Sequence, residues 1–275
     1  IKSICDYLDD FPSCAANYYR NKIAKILVYT TTHIIDTYNI RNSDILVTVG
    51  YGLKRLIERY TDKPIHIIPN GVDTQLFKPM SKYNSRKQLS LEQYDPIILY
   101  YGSITEYIDY NTLIYVTARL KQRYPRILLL LVGRIYKSSE KIEINQKIRQ
   151  SKIEKNVLIL PMQPQKKIPL YIAASDIVIA PYKSLLKNFV SPLKIFETLA
   201  CERPIVLPDI SEFRYWIGGF AKYYHTLDQL EDIMRSMLDD PDAWTCNLRR
   251  ARAYITKNFD WSKLAEKYEQ VLVCR

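Results

Sequence analysis

Ser191, Pro192, Lys194 and Glu197 stand at a spacing that suits anion and diol binding at the start of a helix. Ser is a strong N-cap, and Pro is tolerated at the first helical position, where its missing N–H costs nothing. The apolar positions Leu193, Ile195, Phe196 and Leu199 carry the helix on to Cys201. Its first turn offers free N–H groups and a partial positive charge, which suits a phosphate. Lys194 adds a full cation where a cation opposes the helix dipole, a conflict that a bound anion removes. Glu197 follows three residues later on about the same face, and its carboxylate can accept paired hydroxyl hydrogen bonds of the kind a ribose diol offers. The competing reading is an intrahelical Lys194–Glu197 pair, contributing about 0.2–0.5 kcal/mol. Residue types alone leave the two readings equally open.

Other chemical candidates carry a weaker signal. The run Asp6-Tyr7-Leu8-Asp9-Asp10 offers Asp9 and Asp10 as carboxylates for a polar site, although an acidic turn or helix cap is the ordinary reading of such a run. His33, His66 and His225 show no ligand spacing and read as structural. Cys5, Cys14, Cys201, Cys246 and Cys274 are scattered and form no CxxC pair, so reduced thiols are expected, with no disulfide and no metal site. The formal net charge of +11 and pI near 9.2 favour anionic partners: nucleic acid, acidic headgroups or nucleotide phosphates. The cations come as short pairs (Lys54-Arg55, Lys166-Lys167, Arg249-Arg250), which is ordinary for solvated helix faces. No nucleic-acid-binding motif accompanies them, so nucleic acid is not expected as a partner. The apolar run 127–132 is far shorter than the roughly 20 residues a membrane span needs. A cytoplasmic protein able to attach peripherally to an anionic membrane face is the expectation. The chain starts at Ile1 rather than Met, which suggests a fragment or a processed chain.

The elements that must position these residues become regular after residue 95. Apolar runs at 97–101 and 127–132 end at Gly102 and Gly133, and further strand candidates cover 157–160, 177–180, 204–207 and 221–224. Helical patterns separate them at 111–124, 141–151, 167–174 and 192–201. Wholly apolar strands alternating with amphipathic helices predict a parallel sheet covered on both faces. Ligands of such sheets bind beyond the carboxyl ends of the strands. That rule singles out Gly102-Ser103, Gly133-Arg134, Pro161-Met162, Pro181 to Lys183 and the loop 184–194. The first 70 residues are less regular. Strands are expected at 44–49 and 65–69 around a helix near 53–60, as at the end of another α/β domain. Asn70-Gly71 is a turn signal, Pro79 marks a linker, and 261–273 is a separate amphipathic helix.

The stretch from Ser191 to Val206 resembles the donor-site motif of family 4 glycosyltransferases of the GT-B fold, in the variant S-P-x-K-x-x-E-x-x-A-x-x-x-P-V/I. The run Ile67-Ile-Pro-Asn-Gly-Val-Asp to Phe77 is similar to that family's interdomain segment. Tyr101 to Leu113 is similar to its first donor loop, and Ser175-Asp-Ile-Val-Ile-Ala-Pro181 to its A-D-x-x-x-x-P strand. Four motifs in the right order cover about residues 40–270. The resemblance implies an α/β protein of GT-B type: a Rossmann-like doubly wound donor-binding domain plus part of a second Rossmann-like domain. Boundaries would fall as a partial acceptor-side domain at 1–78, a donor domain at 79–258 and a crossover helix at 259–275.

That family pattern assigns roles. Glu197 would hold the ribose hydroxyls, and the N–H groups of Leu193 and Lys194, capped by Ser191 and Pro192, would hold the diphosphate beside Gly102 and Ser103. Main chain around Met162 would meet the base, and Asp9 or Asp10 would face the donor sugar. Two departures stand out. Phe189 occupies the position where many members carry a sugar-binding glutamate, and the first donor loop, Glu106 to Asp109, lacks the usual Arg and Lys. Lys194, Arg134 or Lys183 would then supply the charge. The implied reaction is glycosyl transfer from a nucleoside-diphosphate sugar with retention, needing neither metal nor other cofactor. The acceptor, whether glycan, lipid or protein, is left open, and the first strands of the acceptor domain are expected to be missing. A sugar-nucleotide epimerase of the same fold and a non-catalytic nucleotide-sugar-binding module are the competing readings.

Overall fold

In the computed structural model, residues 2–105, 107–183 and 193–273 are described. Near the amino terminus, Ile4–Tyr7 (β1), Ile45–Thr48 (β2) and Ile65–Ile67 (β3) pair in parallel in the order β1-β2-β3. Successive residues of β2 point to opposite faces, as a strand requires. Leu46 joins Tyr7, Ile40, Val49, Leu53 and Ile57 on one side, while Val47 joins Ile68 and Leu264 on the other. The first side is covered by helices Lys22–Asn42 (α2) and Tyr51–Ile57 (α3), with Phe11–Asn17 (α1) packed on α2. The described residues 2–71 form one unit together with 261–273.

α2 is a finding the sequence pattern did not anticipate. Asn21 caps it, accepting from the N–H groups of Ile23 at 2.8 Å and Ala24 at 3.3 Å. Ile40 is its one buried residue, so apolar periodicity gave no core-facing stripe to read.

The second unit comprises the described residues within 72–260. After Lys82–Leu89 (α4), six parallel strands follow: Ile97–Tyr101 (β4), Leu128–Val132 (β5), Val157–Leu160 (β6), Ile177–Ile179 (β7), Ile205–Pro208 (β8) and Lys222–Tyr224 (β9). Their order is β6-β5-β4-β7-β8-β9. The chain winds outward from β4 to β6, then returns to start again at β7 on the other side of β4. That reversal opens a crevice between the carboxyl ends of β4 and β7. Every residue of β4 and β5 is buried, which is why both read as unbroken apolar runs.

Helices Tyr110–Leu120 (α5), Ser138–Gln150 (α6), Ile168–Ala174 (α7), Leu193–Ala200 (α8), Ser211–Ile217 (α9), Leu227–Asp239 (α10) and Thr245–Phe259 (α11) connect and cover the strands. α5 stops at Leu120, four residues before the expected end, because residues 121–124 turn towards Pro125. α6 begins three residues earlier than the expected 141. α5 and α10 pack together over one face, where Leu113, Leu230 and Met234 share a core. α4 pairs with α7, and α8 with α11, elsewhere on the sheet. Arg252 of α11 fixes the carboxyl end of α8, donating to the carbonyls of Ala200, Phe77 and Thr74. Trp261–Val273 (α12) belongs to the first unit, where Leu264 and Tyr268 pack beside Val47 and Ile68.

Candidate functional site

The crevice predicted by the strand order is built from the ends of β4 and β5 and from α8. Gly102 leaves β4 with φ +112°, a conformation that favours glycine. A Cβ on Gly133 would lie 1.9 Å from the Gly102 carbonyl oxygen, so the end of β5 needs glycine for close approach. Gly102 N–H donates to Val132 O at 2.8 Å and Ile104 N–H to Arg134 O at 2.9 Å, which holds the two loops side by side. Tyr100 hydroxyl donates to Ser103 O at 2.7 Å and pins the turn between them.

Lys194 bends over this turn. Its Nζ would sit 2.9 Å from a Cβ placed on Gly102, and it lies 5.9 Å and 5.7 Å from the ring centres of Tyr100 and Tyr182. The ammonium group is therefore aimed at the Gly102 loop. Glu197, one turn on, faces the buried Tyr101. The Tyr101 hydroxyl donates to Lys194 O at 2.9 Å, lies 3.2 Å from the Thr198 hydroxyl, either of which can be the donor, and neighbours the Glu197 carboxyl. Burial pushes the Glu197 carboxyl up to about 7, opposed by the Tyr101 hydrogen bond and the Lys194 charge. The carboxyl keeps acceptor capacity that Tyr101 alone cannot fill.

Arg134 and Met162 line a common cavity of 770 Å³ beside β6, with Gly133, Ile135 and Pro161. That volume lies within the ordinary range for small-molecule sites. Arg134 stacks its guanidinium 4.8 Å from the Tyr136 ring centre, and Gln163 donates to Pro161 O at 3.1 Å, ordering the turn that carries Met162. Lys183 lines a different cavity of 600 Å³ with Asp109, Tyr182, Tyr224 and His225. The three candidate cations are thus spread over the crevice and two flanking cavities. A third cavity of 490 Å³ lies at the opposite, amino-terminal ends of the strands, beside Asp95, Asp176 and Pro204. Two of its carboxylates are paired: Asp176 with Lys82 at 2.8 Å and Asp95 with Arg86 at 3.1 Å.

Asp9 and Asp10 lie in the first unit, at the carboxyl end of β1. Asp10 caps α1, accepting from Ser13 N–H at 3.4 Å, which is the ordinary role that competes with a chemical one. Partial burial and the neighbouring Asp10 raise Asp9 above the usual carboxylate range. Ser191, Pro192, Phe189 and Glu106 lie outside the described residues. Sequence reasoning gave no individual role to Tyr100, Tyr101, Tyr182 or Thr198. The available signal was two tyrosines at the end of an otherwise aliphatic strand, since a buried hydroxyl must find a partner.

Two parallel α/β units, one with a strand-order reversal that opens onto a glycine turn, a lysine and a half-buried glutamate, define a GT-B architecture. Residues 81–259 match the family described as glycosyl transferases group 1, and the chain belongs to that family. It is 24% identical to the D-inositol 3-phosphate glycosyltransferase of Corynebacterium aurimucosum, across 98% of this chain and 63% of that protein. It is 20% identical to the lipopolysaccharide 1,2-N-acetylglucosaminetransferase of Salmonella typhimurium, across 91% of this chain and 67% of that one. Among solved structures it is similar to Anabaena HepE in complex with UDP and glucose, with TM-score 0.75, 18% identity and coverage of 98% and 71% of the two chains. The sucrose-phosphate synthase of Thermosynechococcus elongatus gives TM-score 0.72 and 17% identity, with coverage of 98% and 66%. The chain therefore spans less than two thirds of the length of the first of these curated relatives.

Proposed function

We propose that the second unit binds a nucleoside-diphosphate sugar, a UDP-sugar first among the candidates, for glycosyl transfer to an acceptor with retention at the anomeric carbon. The observation that carries this reading is Lys194 Nζ folded over the Gly102 turn while Glu197, on the same helix, keeps a half-buried carboxyl. The similarity to a protein solved with UDP and glucose supports the choice of base. Glu197 holds the ribose diol, and the Leu193 and Lys194 N–H groups receive the diphosphate beside Gly102 and Ser103. The base enters the cavity of Arg134 and Met162, and Lys183 adds a longer-range charge. In the reaction the bond from the anomeric carbon to the phosphate oxygen breaks and its electron pair stays on that oxygen. The acceptor hydroxyl oxygen forms the new bond and passes its proton to that departing phosphate oxygen. Lys194 and the helix start stabilise the developing phosphate charge, which is electrostatic catalysis with no metal invoked. Asp9 and Asp10 are assigned to the sugar-facing side, a role that rests on the motif resemblance.

Lys194→Met tests the reading. A cation in the first turn opposes the dipole by about 0.3–1 kcal/mol, and ring contacts at an exposed site return about 0.5–1 kcal/mol. The two nearly cancel, so the unliganded variant should melt within a few degrees of the parent while losing stabilisation by UDP. A screen of UDP, GDP, ADP and TDP sugars by thermal shift fixes the base. Normal UDP stabilisation of Lys194→Met, or no shift with any of the four, would count against the assignment. The anomeric configuration of a transferred sugar, read by NMR, decides retention.

A further inference from the structure

β4 ends on two tyrosines after three aliphatic residues, and Tyr101, the second, is only 4% exposed. A phenylalanine ring would fill the same space, so the hydroxyl needs its own account, because a buried hydroxyl without a partner is costly. It reaches α8. There it donates to the Lys194 carbonyl at 2.9 Å and lies 3.2 Å from the Thr198 hydroxyl. α8 does not depend on that bond. Within a helix the carbonyl of residue 194 already accepts from the N–H of residue 198. The buried Ile195, Phe196 and Leu199 seat the same helix on the core. What the hydroxyl adds is a fixed point beside the turn that carries Lys194 and Glu197.

The two contacts bracket Glu197. Its carboxyl is a second acceptor for the same phenolic proton, and a hydrogen bond from Tyr101 works against burial by favouring the ionised form. One proton cannot serve both acceptors at once. While Glu197 is protonated, the hydroxyl keeps the Lys194 carbonyl. Once Glu197 is ionised, the carboxylate is the stronger acceptor, since charge-assisted hydrogen bonds are roughly twice as strong as neutral ones. The Lys194 carbonyl then retains its helix partner, and the Thr198 hydroxyl can donate to the phenolic oxygen. Burial holds Tyr101 itself well above its ordinary value, so the proton stays on the ring hydroxyl. The other groups around Glu197 leave this exchange to Tyr101. Lys194, on the same helix, favours the charged form at all times. Cys201, one turn on, is fully buried, and its thiol is pushed up to about 12, so it stays neutral. Arg252, from α11 packed on α8, is engaged by the carbonyls of Ala200, Phe77 and Thr74.

We propose that Tyr101 is a positioning residue for Glu197: its hydroxyl turns from the Lys194 carbonyl to the Glu197 carboxylate and holds that group ready to accept from a diol. Its use in binding rests on the donor-site reading, whereas the link between Tyr101 and Glu197 is measured without nucleotide. The test titrates the Glu197 carboxyl in the full, unliganded chain by carbon NMR with labelled glutamate, its signal identified by its loss in Glu197→Gln. Tyr101→Phe keeps the ring and should raise the titration midpoint by about one pH unit. UDP titrations follow on the same proteins. Tyr101→Phe should bind about five-fold more weakly than the parent at about pH 7, and within about two-fold of it at about pH 9, where both carboxyls are ionised. A hydroxyl that only packs would lower affinity by one factor at every pH. In the Glu197→Gln background Tyr101→Phe should change affinity by less than about two-fold, because the coupled partner is gone. An unmoved midpoint, an affinity ratio that is the same at both pH values, or a Tyr101→Phe chain that does not fold would overturn the proposal. A raised midpoint with UDP affinity unmoved would uphold the link and count against the donor-site reading instead.

Discussion

Glu197 is held under two opposed demands. Burial raises its carboxyl from an ordinary 4.5 to about 7, so ionising it in the folded chain is costly. The shift corresponds to at most about 3 kcal/mol. Because the folded value lies above the unfolded one, this contribution to stability is fully present below about 4.5 and is lost as pH rises through about 7. Glu197→Gln removes the ionisable group. Its melting temperature should therefore gain on the parent between about pH 5 and about pH 8, as scanning calorimetry would record. UDP affinity should move the other way. The ionised carboxylate accepts from the ribose diol, so parent affinity should rise with pH through about 7, while the glutamine variant binds more weakly by about 1.5–3 kcal/mol. A variant less stable than its parent at the higher pH, or one that binds UDP equally well in calorimetric titration, would remove Glu197 from the site.

At the scale of elements, the junction of β4, β5 and α8 works because two strand ends lack side chains. The two glycines play different parts. A Cβ on Gly133 meets backbone, 1.9 Å from Gly102 O, so Gly133→Ala must separate β4 from β5. Overpacking of that kind costs about 1–3 kcal/mol, and the melting temperature should fall accordingly. A Cβ on Gly102 meets Lys194 Cε at 2.4 Å, the far part of a flexible side chain, at φ +112°. Gly102→Ala should therefore cost the strain of left-handed backbone, about 1–2 kcal/mol, and also push Lys194 off the turn. Its loss of UDP affinity should exceed that of Gly133→Ala at equal loss of stability. Equal affinity losses, with urea melts and UDP titrations run side by side, would show that the turn only packs and does not place Lys194.

At the scale of the whole molecule, the two units have separate cores, one around Leu46 and Leu53 and the other around β4 and β5. A ligand bound by the second unit should stabilise that unit by mass action. Amide hydrogen exchange with saturating UDP should slow in β4, β5 and α8 and stay unchanged in β1 to β3; a uniform slowing would show one cooperative unit instead. The alternation of the second unit was legible in the sequence because runs such as Leu128–Val132 are buried on both faces and end at Gly133. That Lys194 and Glu197 share one helix, Leu193–Ala200, was legible too, because helical periodicity is a local effect. α2 was not, since its apolar side chains face outward and leave no core-facing period. Only the tertiary structure brought Tyr101 to the Lys194 carbonyl, 93 residues further along the chain, and buried Glu197 enough to raise it. It alone placed Gly133 against Gly102 and sent Lys183 to a cavity apart from Arg134. Local propensity acts over a few neighbouring residues, whereas burial, close approach and shifted ionisation depend on partners that only the packed sheet brings within reach.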